Sequence, residues 1–329
     1  MKKKLLFLLS VVLVFSLASF ALISLSERAE QKGENRYVVT SFYPVYLLTR
    51  NLTDGVDGIR VKNLTENHAG CLHDYTLTTE DMKLLELADL VVLNGGGMDA
   101  FLEELLHEQE SNWQVANASE GIALLEGVEH VHEGEEHIHE GEEPSETEEG
   151  HAHTHGAENA HLWMSVDEYL LQVDNVTQAL CEFDPAHKAI YLENAADYKE
   201  RLAVIEETRG VLAEQTSGME VIIFHDAFAY FAKMLKMEVI HSLPLDDDTA
   251  LSAGELAEVI EEVKRHQIPY LFVEEAYAQT AGLVAAETGA EVVCLNSMTQ
   301  GEDTLTAYVE DMLENLSVLE EVLGDTRKE

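Results

Sequence analysis

Short apolar runs alternate with segments of helical spacing along nearly the whole chain, and the rhythm occurs twice. Residues 37–40 (Tyr37-Val38-Val39-Thr40) read as a strand, and residues 43–51 carry apolar positions at helical spacing. Residues 59–64 read as a second strand, which runs out into Thr65-Glu66-Asn67-His68-Ala69-Gly70-Cys71-Leu72-His73. Thr78 followed by Asp81 has the spacing of a capping box and opens a predicted helix over 80–87. A third strand over 89–94 leads to Gly95-Gly96-Gly97 and a helix over 99–108, and a fourth strand is predicted over 122–125. Residues 166–181 are amphipathic and helical. Asp184-Pro185 then offers an N-cap and a first-turn proline for a helix that carries to about residue 215. Thirty or so residues at ~1.5 Å each span about 45 Å, which suits a rigid strut between two halves of a protein.

The second half repeats the pattern. Strands are predicted over 220–224, 238–242, 269–273 and 291–295. Helices are predicted over 227–235, from the Ser252/Glu255 cap to Arg265, over 281–288 and over 305–323. Strands and helices alternating at this interval specify parallel sheets. The expected fold class is α/β: two lobes, each a mostly parallel four-stranded sheet with flanking helices, joined by one long rigid helix. The lobes are expected at 36–183 and 218–329, with the joining helix at 184–217. Residues 1–35 form a leading segment, and 128–158 a disordered loop rich in His and Glu.

Composition narrows the role. The formal net charge is −43, from 63 acidic against 20 basic residues, and no Lys or Arg occurs between Lys83 and Lys188. Such a surface repels nucleic acid and anionic membranes and attracts cations. Lys2, Lys3 and Lys4 precede a mostly apolar run over 5–25, which reads as an export signal with Ser19-Phe20-Ala21 as a small-x-small cleavage site. The run is also long enough to anchor the chain uncleaved. The three cysteines, Cys71, Cys181 and Cys294, are too few and too scattered for a disulfide framework. Cys181 and Cys294 fit core positions, and Cys71, two residues before His73, is within reach of a metal held there.

The histidines carry the chemistry. His130, His132, His137, His139, His151, His153 and His155 crowd a glutamate-rich segment with too little apolar content to fold alone. A charge run by itself is a solvated linker; paired H-x-H imidazoles instead favour contact with borderline metals. His132-Glu133 and His137 are spaced five apart rather than the four of a zinc-protease helix, and a glycine interrupts them. The segment leads into Asn159-Ala160-His161-Leu162-Trp163, where His161 sits among apolar residues. His73 follows a strand, and His225 ends one (Ile222-Ile223-Phe224-His225). Alone, His73 reads as a solvated loop residue and His225 as a satisfied core residue. A cleft between two α/β halves would bring both to His161, since ligands bind beyond the carboxyl ends of parallel strands. Asp74 and Asp226 are candidates to fix the tautomers of the rings they follow. His68 reads as solvent-facing, and His107, His187, His241 and His266 as surface or strand-end residues. The three glycines lack a phosphate-binding pattern and a nearby cation, so they read as a tight turn.

Taken together, His73-Asp74-Tyr75-Thr76-Leu77-Thr78, Ala88–Gly95, the acidic histidine run before Asn159–Trp163, Phe224–Tyr230 and Glu287–Asn296 resemble the metal-binding solute-binding proteins of bacterial ABC importers, the zinc/manganese class. The resemblance covers almost the whole chain beyond the leading segment. It implies an exported, monomeric receptor, periplasmic or at the cell surface, that takes one divalent ion between its lobes and hands it to an ABC permease in the membrane. By motif, His73, His161 and His225 are the imidazole ligands. The family's carboxylate after the last strand is missing here, where Asn296-Ser297-Met298-Thr299-Gln300 stands, and Glu302 is the nearest acid beyond. A water, or Glu274-Glu275, offers an alternative. Three imidazoles favour Zn2+ over Mn2+ as the carried ion, because manganese suits more oxygen donors. Two other readings stay open: a secreted zinc-dependent hydrolase and a surface metal-storage or adhesion protein. Against the hydrolase, no positioned general base or nucleophile is evident, so the expected role is not enzymatic.

Overall fold

The computed structural model describes residues 35–66, 68, 70, 72, 75–107, 113–127, 158–243 and 251–325. The first lobe contains β1 (Arg36–Thr40), α1 (Tyr43–Leu52), β2 (Ile59–Asn63), α2 (Thr79–Leu87), β3 (Ala88–Leu93), α3 (Glu103–His107), β4 (Gln114–Asn117) and α4 (Val166–Phe183). The long helix α5 (Lys188–Thr216) follows. The second lobe contains β5 (Glu220–Ile223), α6 (Phe228–Met234), β6 (Glu238–Ser242), α7 (Ala253–His266), β7 (Tyr270–Val273), α8 (Ala278–Thr288), β8 (Glu291–Cys294) and α9 (Ala307–Asp325). Both sheets are parallel throughout, with matching strand orders β2-β1-β3-β4 and β6-β5-β7-β8. Each order reverses between its two central strands, which opens a crevice at their carboxyl ends.

Alternation along the strands assigns their faces. Val38 of β1 and Val221 and Ile223 of β5 point into one large core, with Tyr270 and Phe272 of β7. Val39 faces a smaller core with Leu85 and Leu102, and Ile222, Leu271 and Val273 face another with Val259 and Val284. The large core is continuous from Val38 to Leu323 and runs through α1, α4, α5, α6 and α9. The two lobes therefore share a helical layer. The long helix is not a bare strut: Tyr191, Ala195, Tyr198, Leu202, Ile205, Leu212 and Thr216 make one buried stripe along it. Leu192, Val204 and Val211 lie on its exposed side.

Three sequence expectations fail locally. The fourth strand of the first lobe is Gln114–Asn117, not 122–125; Leu125 makes only an isolated antiparallel bridge with Asn159. Only Ala116 of β4 is buried, as befits an edge strand, so its sequence lacks the apolar alternation that marks a strand. The helix expected over 99–108 begins as a 3₁₀ turn, Ala100–Leu102, before α3. Asp184 does not cap α5 with its side chain; its Oδ2 accepts from Tyr191 Oη at 2.9 Å and pairs with His187 Nδ1 at 2.7 Å. The caps at Thr78/Asp81 and Ser252/Glu255 are both reciprocal capping boxes, as expected. Gly95, Gly96 and Gly97 all take positive φ in a turn. A Cβ on Gly95 would fall 2.0 Å from Asn117 Oδ1, so the close approach of β4 excludes any side chain there. Cys181 is buried as expected, whereas Cys294 is only half-buried.

Candidate metal centre

The two crevices face the same place. In the second lobe, β5 ends and the chain continues through Phe224 to His225; beside it, β7 ends at Val273 and continues to Glu274. The backbone pairing runs on past the strands, with Phe224 N–H donating to the Phe272 carbonyl at 2.8 Å. This carries His225 and Glu274 out side by side, and His225 Nδ1 lies 3.2 Å from Glu274 Oε1. In the first lobe, Ser41 follows β1 and Asn94 follows β3. Asn94 Nδ2 donates to the carbonyl of Ala160 at 2.9 Å, which fixes the residue before His161 over that crevice.

His161 and His225 meet there. Their ring centroids are 5.1 Å apart with planes at 80°, and both residues are nearly enclosed, at 2% and 4% exposure. His161 also packs against Trp163, which is held by the Phe42 ring and by its own Nε1–H donating to the Ser297 carbonyl at 2.8 Å. Each imidazole has an oxygen at Nδ1: Asn159 Oδ1 at 2.8 Å from His161, and the Glu274 carboxylate beside His225. Burial tends to raise the Glu274 pKa. The hydrogen bond and charge of His225, with a hydrogen bond from Ser297, outweigh burial and hold it below the usual glutamate range. An ionised carboxylate only accepts, so His225 Nδ1 carries hydrogen.

The sequence-predicted residues fare unequally. His161 and His225 come together. His73, with Cys71 and Asp74, lies outside the described residues, as do the leading segment and the histidine-rich run. Among the described residues no group of three His, Cys, Asp or Glu side chains converges in metal-holding geometry. The Glu302 carbonyl accepts the Tyr43 hydroxyl at 2.8 Å, and its charge acts on Tyr43 and Asp311. The acid beside His225 is Glu274, while the Asp226 carboxylate bonds Ser242 Oγ. His68, expected to face solvent, is half-buried with its ring edge-on to Tyr75. His187 and His266 are partly exposed and pair with Asp184 and Glu220. Asn159 was legible as part of a motif but not as a partner of His161, because an asparagine two residues from a histidine has no signature of its own.

The family model for the zinc-uptake complex component A, periplasmic, matches residues 38–322. The chain belongs to this family. It is 31% identical over 303 residues to the high-affinity zinc uptake system protein ZnuA of Bacillus subtilis, covering 90% of each chain. It is 28% identical to the zinc-binding protein AdcA of Streptococcus pyogenes, covering 98% of this chain but only 63% of that one. The chain thus spans less than two thirds of the length of its AdcA relatives. Among solved structures, FpvC of Pseudomonas aeruginosa in complex with Mn2+ matches at TM-score 0.71 and 21% identity, over 89% of this chain and 99% of that one. Zn(II)-bound AdcA of Streptococcus pneumoniae matches at TM-score 0.69 and 23% identity, over 88% of this chain and 58% of that one. These neighbours share the fold of two parallel sheets flanked by helices.

Proposed function

We propose that this member of the zinc-uptake component A family is an exported, monomeric receptor that binds Zn2+ between its lobes and delivers it to an ABC permease. The lobes are 36–183 and 218–329, joined through 184–217. The observation that carries the reading is the meeting of His161 and His225, one from each lobe, with both Nδ1 atoms facing oxygen. Imidazoles so held offer Nε2 lone pairs to a borderline cation, and an oxygen partner on the far nitrogen raises their basicity. His73 supplies the third imidazole. Glu274 orients His225, and both His225 and Ser297 engage its carboxylate. The fourth position goes to a water or to Glu302. Nitrogen-rich donors favour zinc over manganese.

The test is metal analysis of the purified protein with competition titrations against a chromophoric chelator. Wild type should hold one tightly bound zinc. His73→Ala, His161→Ala and His225→Ala should each lose that site, while deletion of residues 129–155 should keep it. Tight binding that survives all three alanine changes but vanishes with the deletion would establish storage in the histidine run instead.

A further inference from the structure

We propose that Asn159 is a positioning residue of the metal centre: its amide fixes the His161 tautomer that bares Nε2 and ties the segment carrying His161 to the segment carrying His225. This rests on the reading above, that these two rings take the ion. Two backbone groups whose polarity cannot change settle the amide. The His161 backbone N–H only donates, and it donates to Asn159 Oδ1 at 3.0 Å. The Asp226 carbonyl only accepts, and it receives Asn159 Nδ2 at 2.8 Å. A flipped amide would set donor against donor at one contact and acceptor against acceptor at the other. With Oδ1 facing it at 2.8 Å, His161 Nδ1 must carry a hydrogen. The neutral ring then keeps its lone pair on Nε2. A histidine free in water prefers the opposite tautomer, so without Asn159 the ring would have to move its hydrogen before binding an ion through Nε2.

The backbone of Asn159 is held as firmly as its side chain. Its N–H donates to the Leu125 carbonyl at 2.7 Å, and its carbonyl accepts the Tyr230 hydroxyl at 2.9 Å. The Tyr230 oxygen in turn accepts the Leu125 N–H at 3.0 Å. Asp226 and Tyr230 both belong to the second lobe, immediately after His225. One turn further on, Lys233 reaches Glu168 of α4 at 2.5 Å. Asn159 is therefore the residue through which the tautomer of one ligand and the spacing to the other are set together.

Metal-free protein labelled with ¹⁵N-histidine tests this by long-range ¹H–¹⁵N spectra at pH 8, with the His161 signals identified by their loss in His161→Ala. Wild type should show His161 hydrogen on Nδ1. Asn159→Ala should move it toward Nε2 and weaken zinc binding by about 10–100-fold, the range for partners of metal-bound histidines. Asn159→Asp restores an acceptor but removes the donor to Asp226. It should return the Nδ1–H tautomer while leaving zinc binding weaker than wild type, and it keeps the test available if Asn159→Ala does not fold. An unchanged tautomer in Asn159→Ala, a failure of Asn159→Asp to restore it, or unchanged zinc affinity in both variants would overturn the proposal. Failure of the underlying reading looks different: His161→Ala would then bind zinc as wild type does.

Discussion

Asp99 sits enclosed just beyond the carboxyl end of β3, where it accepts the backbone N–H of Asn94 at 3.2 Å and of Gly95 at 2.6 Å. Burial pushes its pKa up to about 6, and bonds from Ser41, Gly95 and Asn94 only partly offset this. A carboxyl group whose pKa is higher folded than unfolded holds its proton in the native state where the unfolded chain has lost it. Its contribution to stability therefore falls as pH rises from about 4 to about 6 and is level above that, by on the order of 3 kcal/mol in all. Asp99→Asn cannot titrate and sets an amide NH2 among backbone donors, a loss of about 1–3 kcal/mol. The advantage of wild type over this variant should be largest near pH 4 and shrink toward pH 7. Urea titrations across that range check this, and a gap that widens with pH would refute it. At this scale the sequence pointed to candidate ligands and was silent about the groups that hold them. His161 and His225 stood out because each imidazole sits among apolar residues, and His225 also ends a strand run. Asp99 bonds backbone N–H groups of the turn just before it, and Asn159 reaches the Asp226 carbonyl 67 residues on; neither contact has a sequence signature of its own.

The junction between α4 and α5 shows how an element is stopped and restarted. Asp184 lies between the two helices, and its carboxylate takes Tyr191 Oη, His187 Nδ1 and, at 3.7 Å, Arg36 Nη1. Arg36 also lies over the Phe183 ring and donates to the Phe183 carbonyl at 2.9 Å, so the end of α4 is tied to β1. Burial tends to raise the Asp184 pKa, but the bonds from His187 and Tyr191 and the charges of His187 and Arg36 prevail, and the group stays below the usual aspartate range. A depressed carboxylate adds stability above its unfolded pKa of about 3.9, and that stability is lost as pH falls through the lower folded value. Asp184→Asn should thus cost about 1–3 kcal/mol at pH 7 and progressively less below about pH 4. Thermal melts of both proteins at pH 7 and pH 3 decide it. The sequence announced a boundary here through Asp184-Pro185, yet assigned the aspartate to capping, because an acid before a first-turn proline is the usual cap. The β4 error has the opposite origin. Ile122, Leu124 and Leu125 are apolar because they pack beside the large core, not because they pair in a sheet.

At the scale of the whole molecule, the doubled strand–helix rhythm was enough to anticipate two parallel sheets, because burying both faces of each sheet demands the alternation. The shared core was not anticipated, since the apolar stripe of α5 does not say which lobe it faces. That core, with the hydrogen bond from Tyr308 Oη to the Trp163 carbonyl at 2.7 Å and the Lys233–Glu168 pair, couples the lobes around the candidate site. The ion itself would meet two very different environments. Approaching, it feels a net charge of −43. Bound as proposed, it would touch the enclosed rings of His161 and His225, which added salt scarcely reaches. Charge of one sign raises encounter rates with an opposite charge by about 10–10³ at low salt. The screening length shrinks from ~30 Å at 0.01 M to ~10 Å at 0.1 M, so the long-range attraction fades over that range. Stopped-flow mixing with a zinc indicator should therefore show association slowing by about tenfold or more between low and moderate salt, at the lower end of that steering range. Dissociation should stay nearly constant, because the contacts that break are short and buried. An equal acceleration of dissociation would place the salt-sensitive charges in the site itself, and would point to exposed carboxylates rather than His161 and His225 as the principal donors.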